Sequence, residues 1–206
     1  MSEEPDLSLG DIATNLALRS AVRNAAVLNL GYFGVEFAVA LAIGSVALFA
    51  DSVDFLEDAA INLLILAGLG FSARGRAKLG MLLAAIILVP GLATLWTAWE
   101  NFSDNRVPDA LSLSITGFGA FTVNLICARM LAPFRTSGGS LTRAAFLSAR
   151  NDVAANVAIV VAGLLTAATA SRWPDLIVGL GIAALNAGAA VEIYNAARDE
   201  HVSAKS

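Results

Sequence analysis

The chain has a single cysteine, Cys127, and a single histidine, His201, in 206 residues. One thiol excludes an intrachain disulfide framework and a Cys-rich metal cluster. His201 lies in the polar tail, so no His-cluster metal site and no His-based catalytic triad belongs to the apolar body. Charge is scarce too: 15% of the residues are Asp, Glu, Lys or Arg, where a globular domain has about 25%. With 13 bases against 17 acids the net charge is -4, which leaves no basic footprint for nucleic acid. Met1 to Asp11 carry four acids and no base, so no secretory signal is read there. No nucleophile and base pair stands at a spacing that suggests catalysis, so neither an enzyme nor a prosthetic group is expected.

What the chain has in excess is apolar surface. The hydrophobic share is 57% and the mean hydropathy +0.72. Surface that apolar either meets lipid or aggregates. A helix needs about 20 mainly apolar residues to cross a hydrocarbon core of about 30 Å. Stretches of that kind lie near 25–44, 46–70, 79–99, 110–132, 144–170 and 175–196. They are too long and too rich in Ala and Leu for the alternating strands of a barrel. The expected fold is all-α, a multi-pass membrane protein of six transmembrane helices. Residues 1–24 and 197–206 are read as flanking segments around a transport-sized domain over 25–196. Pro90 is expected to kink the third span.

The basic residues set the orientation. With the amino terminus in the cytoplasm, Arg19, Arg23, Arg74, Arg76, Lys78, Arg129, Arg135, Arg143, Arg150, Arg198 and Lys205 fall on or near that side, and Arg106 and Arg172 outside. The positive-inside rule counts Lys and Arg rather than net charge, so both termini are expected to be cytoplasmic. The inner (plasma) membrane of a bacterium is the expected location.

Against this background four acids stand out in the second span: Asp51, Asp54, Glu57 and Asp58. Each costs roughly 2.5–3.5 kcal/mol at a helix centre, so they must face a bundle interior or a water-filled cavity. At about 100° per residue, Asp51, Asp54, Asp58 and Asn62 share an arc of about 80°, with Glu57 at its edge. Asp54 and Asp58 are one turn, about 6 Å, apart along the axis, close enough for one coordination sphere. Two carboxylates that close either share a proton or hold a cation between them. The fifth span adds a second polar stripe, Ser148, Asp152 and Asn156, with Asn151 beside it.

The block from Gly44 to Asp58, GSVALFADSVDFLED, resembles the second membrane helix of the cation diffusion facilitators. Arg150 to Val157, RNDVAANV, followed by WPDLIVG from Trp173 to Gly179, resembles their fifth helix and the start of their sixth. The resemblance covers the whole six-span portion. It implies one transition-metal site with two ligands from each of the second and fifth helices, and metal export driven by proton entry. Carried over, the ligands are Asp54, Asp58 and Asp152. The fourth ligand of the family, usually His in its zinc-handling members, falls on Ser148 here. Loss of imidazole makes the site harder and richer in oxygen, which weakens zinc relative to manganese, iron or cobalt. Asp51, Asn151 or water is the other candidate for that position. Many relatives carry a cytoplasmic metal-binding domain after the sixth helix. A short form without it is expected.

The function these residues imply is secondary transport that exports a divalent transition-metal cation (zinc, cobalt, cadmium, iron or manganese) from the cytoplasm in exchange for protons. The divalent ion is the substrate, and metal, protons and lipid are the expected partners. Two other readings stay open: a channel or carrier for another cation, and a non-transporting assembly subunit whose acids pair with bases of another chain. For Glu36 the choice is a proton relay or an ion pair with Arg150, and the pair is favoured. Asp51 is read equally as an access-path residue or a helix-end cap. Glu57 is expected to pair with a base or reach a polar interface. Asn29, Asn124 and Asn186 are read as interhelical hydrogen-bond residues, and Cys127 as a small core residue. Trp96, Trp99 and Trp173 are read as an aromatic belt. Gly179, Gly181 and Gly188 signal close packing, and such a face also suits a homodimer contact.

Overall fold

The computed structural model describes residues 9–68, 92, 94–100, 102–103, 106–137 and 139–185, with side chains from Asn15 onward except at 68 and 139–141. Every regular element among them is helical: α1 (Leu9–Ile43), α2 (Val46–Gly68), α3 (94–100), α4 (Ala110–Leu131), a 3-10 turn (Ala132–Phe134), α5 (Gly139–Thr169) and α6 (Trp173–Leu185). Three described stretches, Asn15–Ile43, Ala110–Phe134 and Thr142–Thr169, are long and apolar enough to cross a membrane. α2 has the length, but its four acids set it apart. Pro90, the basic turn at 74–78, Asn186, Gly188 and the tail lie outside the described residues.

The ends of α2 and α4 lie close to the expected ones, whereas α1 begins at Leu9 rather than near residue 25. Arg19 and Arg23 made those residues read as a flank. Their side chains are exposed, while Leu18, Val22 and Ala25 recur at helical spacing and are buried against α4 and α5. One stripe of this amphipathic stretch therefore extends the core beyond the first span.

Two local features fix the α1–α2 hairpin. Gly44 adopts φ +70°, the left-handed conformation that ends a helix at little cost only for glycine. The Gly44 and Ser45 amides then both donate to the Ala40 carbonyl, at 2.8 and 3.3 Å. The hairpin closes through rings at mirrored distances from this turn, Tyr32 on Phe55 (5.1 Å between centroids) and Phe37 edge-on to Phe49 (5.5 Å). α4 starts at the Asp109 cap, whose Oδ1 accepts from the Ser112 amide at 2.8 Å.

α1 packs on α2 and α4, α5 on α4 and α2, so the four helices close a ring. Small residues let them approach: a Cβ on Gly117 would strike Ile159, and one on Gly163 would strike Ser114. The outward side chains are apolar, among them Leu30, Val35, Leu111, Ile115, Phe118 and Leu164, as lipid contact requires. Trp96, Trp99 and Trp173 are exposed as well. Inside the ring, two apolar clusters bracket the middle. One holds Leu18, Val22, Ile65, Cys127 and Ala145 near the α4–α5 turn; the other holds Ala40, Leu48, Phe49, Leu113 and Ile159 near the α1–α2 turn. Asn29, Glu36, Asp51, Asp58, Asn124 and Asn156, all buried, lie between these two plugs.

Candidate metal centre

The antiparallel hairpin decides which polar groups meet. Asn29 and Glu36, seven residues apart, share a face of α1; Asp58 and Asp51, seven apart, share a face of α2. Asn29 and Asp58 stand within one residue of the same distance from Gly44, and so do Glu36 and Asp51. Each pair meets. Asn29 Nδ2 donates to Asp58 Oδ2 at 3.5 Å, and the Glu36 and Asp51 carboxyls lie within hydrogen-bonding reach of each other.

The first layer, nearer the α4–α5 turn, centres on Asp58. It is buried, and its carboxyl is in hydrogen-bonding reach of Ser148 and Asp152 of α5. Asn62 folds back one turn and donates to the Asp58 backbone carbonyl at 2.8 Å. Cys127 of α4 donates its S–H to Asn29 Oδ1 at 3.4 Å, which turns the Asn29 amide nitrogen toward Asp58. Asp54 is half-buried one turn away, and the charge that acts on it most strongly is that of Asp152, followed by Asp51. Glu57 is half-buried at the edge, its charge felt by Asp54, Asp58 and Asp152.

The second layer, one to two turns toward the α1–α2 turn, holds Asp51 and Glu36, both fully buried. Asp51 Oδ2 accepts from Asn156 Nδ2 at 2.6 Å, and Asn156 Oδ1 accepts from Asn124 Nδ2 at 3.0 Å. Tyr32 lies close by, but its hydroxyl donates to the Thr116 carbonyl at 2.6 Å.

The fold thus brings Asp58, Ser148 and Asp152 together, with Asp54 adjoining. It turns Asp51 to a different set of partners. Among the described residues, no three His, Cys, Asp or Glu side chains already stand in a metal-holding arrangement. Asn151, a candidate for the fourth position, is exposed and accepts from Arg150 Nη2 at 3.4 Å. The expected Glu36–Arg150 ion pair is not formed. Arg150 is exposed on α5, and Glu36 faces Asp51 inside the ring. The acid pattern on one helix gave no view of which face α5 turns inward, and that face carries Asp152 and Asn156 but not Arg150.

Nor does Asp51 cap its helix. That role belongs to Asp175 of α6, a residue read only as part of a motif. Asp175 is buried; its Oδ1 accepts from Ser45 Oγ (2.6 Å) and the Ala47 amide (3.2 Å), and its Oδ2 from the Val46 amide (2.8 Å). Ser45 Oγ in turn accepts from the Leu48 amide at 3.1 Å. The open amides of the α2 amino terminus are thereby met by a neighbouring helix. Gly179, one turn on, sits so close to the Val46–Ala47 backbone that a Cβ there would overlap it.

Comparison with known families gives one match. The family model described as the cation efflux transmembrane domain fits residues 22–199, which takes in α1 from Val22 and every described helix after it. No individual curated protein matches the chain.

Proposed function

The chain belongs to the cation efflux family, the cation diffusion facilitators, as an integral multi-pass membrane cation transporter, and from that premise we propose that it exports a divalent transition-metal ion in exchange for protons. The observation that carries this reading is the meeting of α2 and α5 carboxyls at Asp58, with Ser148 and Asp152 in hydrogen-bonding reach. In the proposed mechanism Asp54, Asp58 and Asp152 are the ligands and the proton carriers, and Ser148 stands at the fourth position. Without metal, neighbouring carboxyls are held apart from full ionisation by sharing protons. A divalent charge favours their ionised forms, so loading the ion releases those protons. The two apolar plugs bracket the site, so each access state needs only one of them to part.

The oxygen-only donor set supports manganese, iron or cobalt ahead of zinc or cadmium, because hard carboxylate and hydroxyl oxygens select less strongly for soft ions. Six spans with both termini in the cytoplasm, the bacterial inner membrane and a homodimer through membrane helices complete the proposal. The distribution of Lys and Arg supports the orientation. The test uses purified protein in vesicles loaded with a pH dye. Asp54→Ala and Asp58→Ala are expected to abolish both metal uptake and the coupled pH change. Uptake that survives in both variants overturns the mechanism, and uptake without any pH change favours a channel.

A further inference from the structure

Glu36 is the least satisfied polar group among the described residues: fully buried, with no donor to either carboxylate oxygen. Its neighbours explain why. Asp51 in its ionised form offers only acceptors, and the Tyr32 hydroxyl is spent on Thr116. The amides do not help either, because their direction is already set. Asp51 Oδ2 takes the Asn156 Nδ2 proton, so Asn156 presents its oxygen to Asn124 Nδ2. That leaves Asn124 Oδ1 a buried acceptor without a donor, as is Asp51 Oδ1. Buried oxygens on α1, α2 and α4 therefore accumulate with no hydrogen to meet them, at a depth where lipid supplies no water. Such a set lacks a cation.

We propose that Glu36 and Asp51, with Asn124 and Asn156 behind them, form a second cation station that takes a hard divalent ion on oxygen ligands alone. Seven residues separate Asp51 from Asp58, about 10 Å along the helix, whereas oxygen ligands lie about 2.0–2.6 Å from such ions. The two stations cannot share one coordination sphere. Asp54 lies between them along α2, its charge felt by Glu36 on one side and the strongest charge acting on it being Asp152 on the other. An ion leaving Asp58 thus has carboxylates within one turn at every step toward the α1–α2 turn. Naming the ion as the transported one rests on the export reading; the existence of the station does not.

The probe is Mn2+, measured by equilibrium dialysis against the full chain in detergent micelles. The wild type is expected to hold two equivalents per chain. Glu36→Gln and Asp58→Asn each lose one, and the double variant holds none. Glu36→Asp keeps the carboxylate and is expected to keep two, which separates loss of a ligand from loss of the fold. A wild type that holds one equivalent overturns the proposal whichever variant removes it, as does Glu36→Gln with two, the mark of a protonated structural carboxyl. Asp58→Asn holding none also overturns it. The export reading fails separately, on vesicle uptake that survives Asp54→Ala and Asp58→Ala.

Discussion

Asp175 and Glu36 are equally hidden, 1% and 0% exposed, and opposite in every other respect. Asp175 accepts from two backbone amides and a hydroxyl and holds the start of α2 against α6. Glu36 has no donor on either oxygen and faces another acid. Burial alone says nothing about an acid's role in a membrane bundle. The surrounding donors do: a carboxyl met on all sides is a fastening, and one surrounded by acceptors is a place for an ion or a proton.

The strongest challenge to that contrast is to remove acids of the second kind. Asp58→Ala should reduce vesicle transport about a hundredfold or more while lowering the melting temperature less than the loss of Asp175 does, because it strands only the long Asn29 hydrogen bond and relieves the crowding of neighbouring carboxyls. A variant that melts early and transports normally would put Asp58 with the fastenings. Asp175→Ala should do the reverse. It strands the Val46 and Ala47 amides and the Ser45 hydroxyl, costing on the order of 3 kcal/mol, read as a lower detergent melting point in protein that still transports once folded.

Smaller changes sharpen the picture at the same interface. Gly179→Ala should destabilise by about 2 kcal/mol by forcing α6 off the α2 backbone, and a larger residue there should do more. Ala170 ends α5 at φ +49°, a conformation unfavourable for a side-chain-bearing residue. Ala170→Gly should therefore raise stability by about 1 kcal/mol, checked by the same melts. The least effect belongs to Asp109, an exposed cap whose hydrogen bonds with Ser112 hold its carboxyl below the usual carboxylate range. A lowered value means that its contribution is present at neutral pH and is lost as pH falls through the folded value. Asp109→Asn should flatten that acid limb of the pH–stability curve while leaving neutral stability nearly unchanged.

Much of this could be read in the residues and some could not. The spans over α2 and α4 follow from apolar runs that begin after Gly44 and Asp109. The stripe of Asp51, Asp54 and Asp58 follows from helical spacing. The early start of α1 did not, because Arg19 and Arg23 mask a buried stripe that shows only when the period is followed past them. The partner of Glu36 was misread because an ion pair is the cheaper arrangement for one acid considered alone. Arg150 is close in sequence to Asp152 but lies on the opposite side of α5. Asn29 and Glu36 carried a usable signal: each sits within one residue of its α2 partner's distance from Gly44.

The sequence by itself determined that this chain lives in lipid as helices and that α2 and α5 carry its polar chemistry. Those properties depend on composition and on a fixed helical period, which are local. Only the tertiary structure decided that Asp58 meets Ser148 and Asp152, that Asp51 turns instead to Glu36 and Asn156, and that Asp175 serves as another helix's cap. Such pairings depend on how helices distant in the chain are rotated and set in depth against each other. That is fixed by close packing at glycines such as Gly117 and Gly179, and no single helix encodes it.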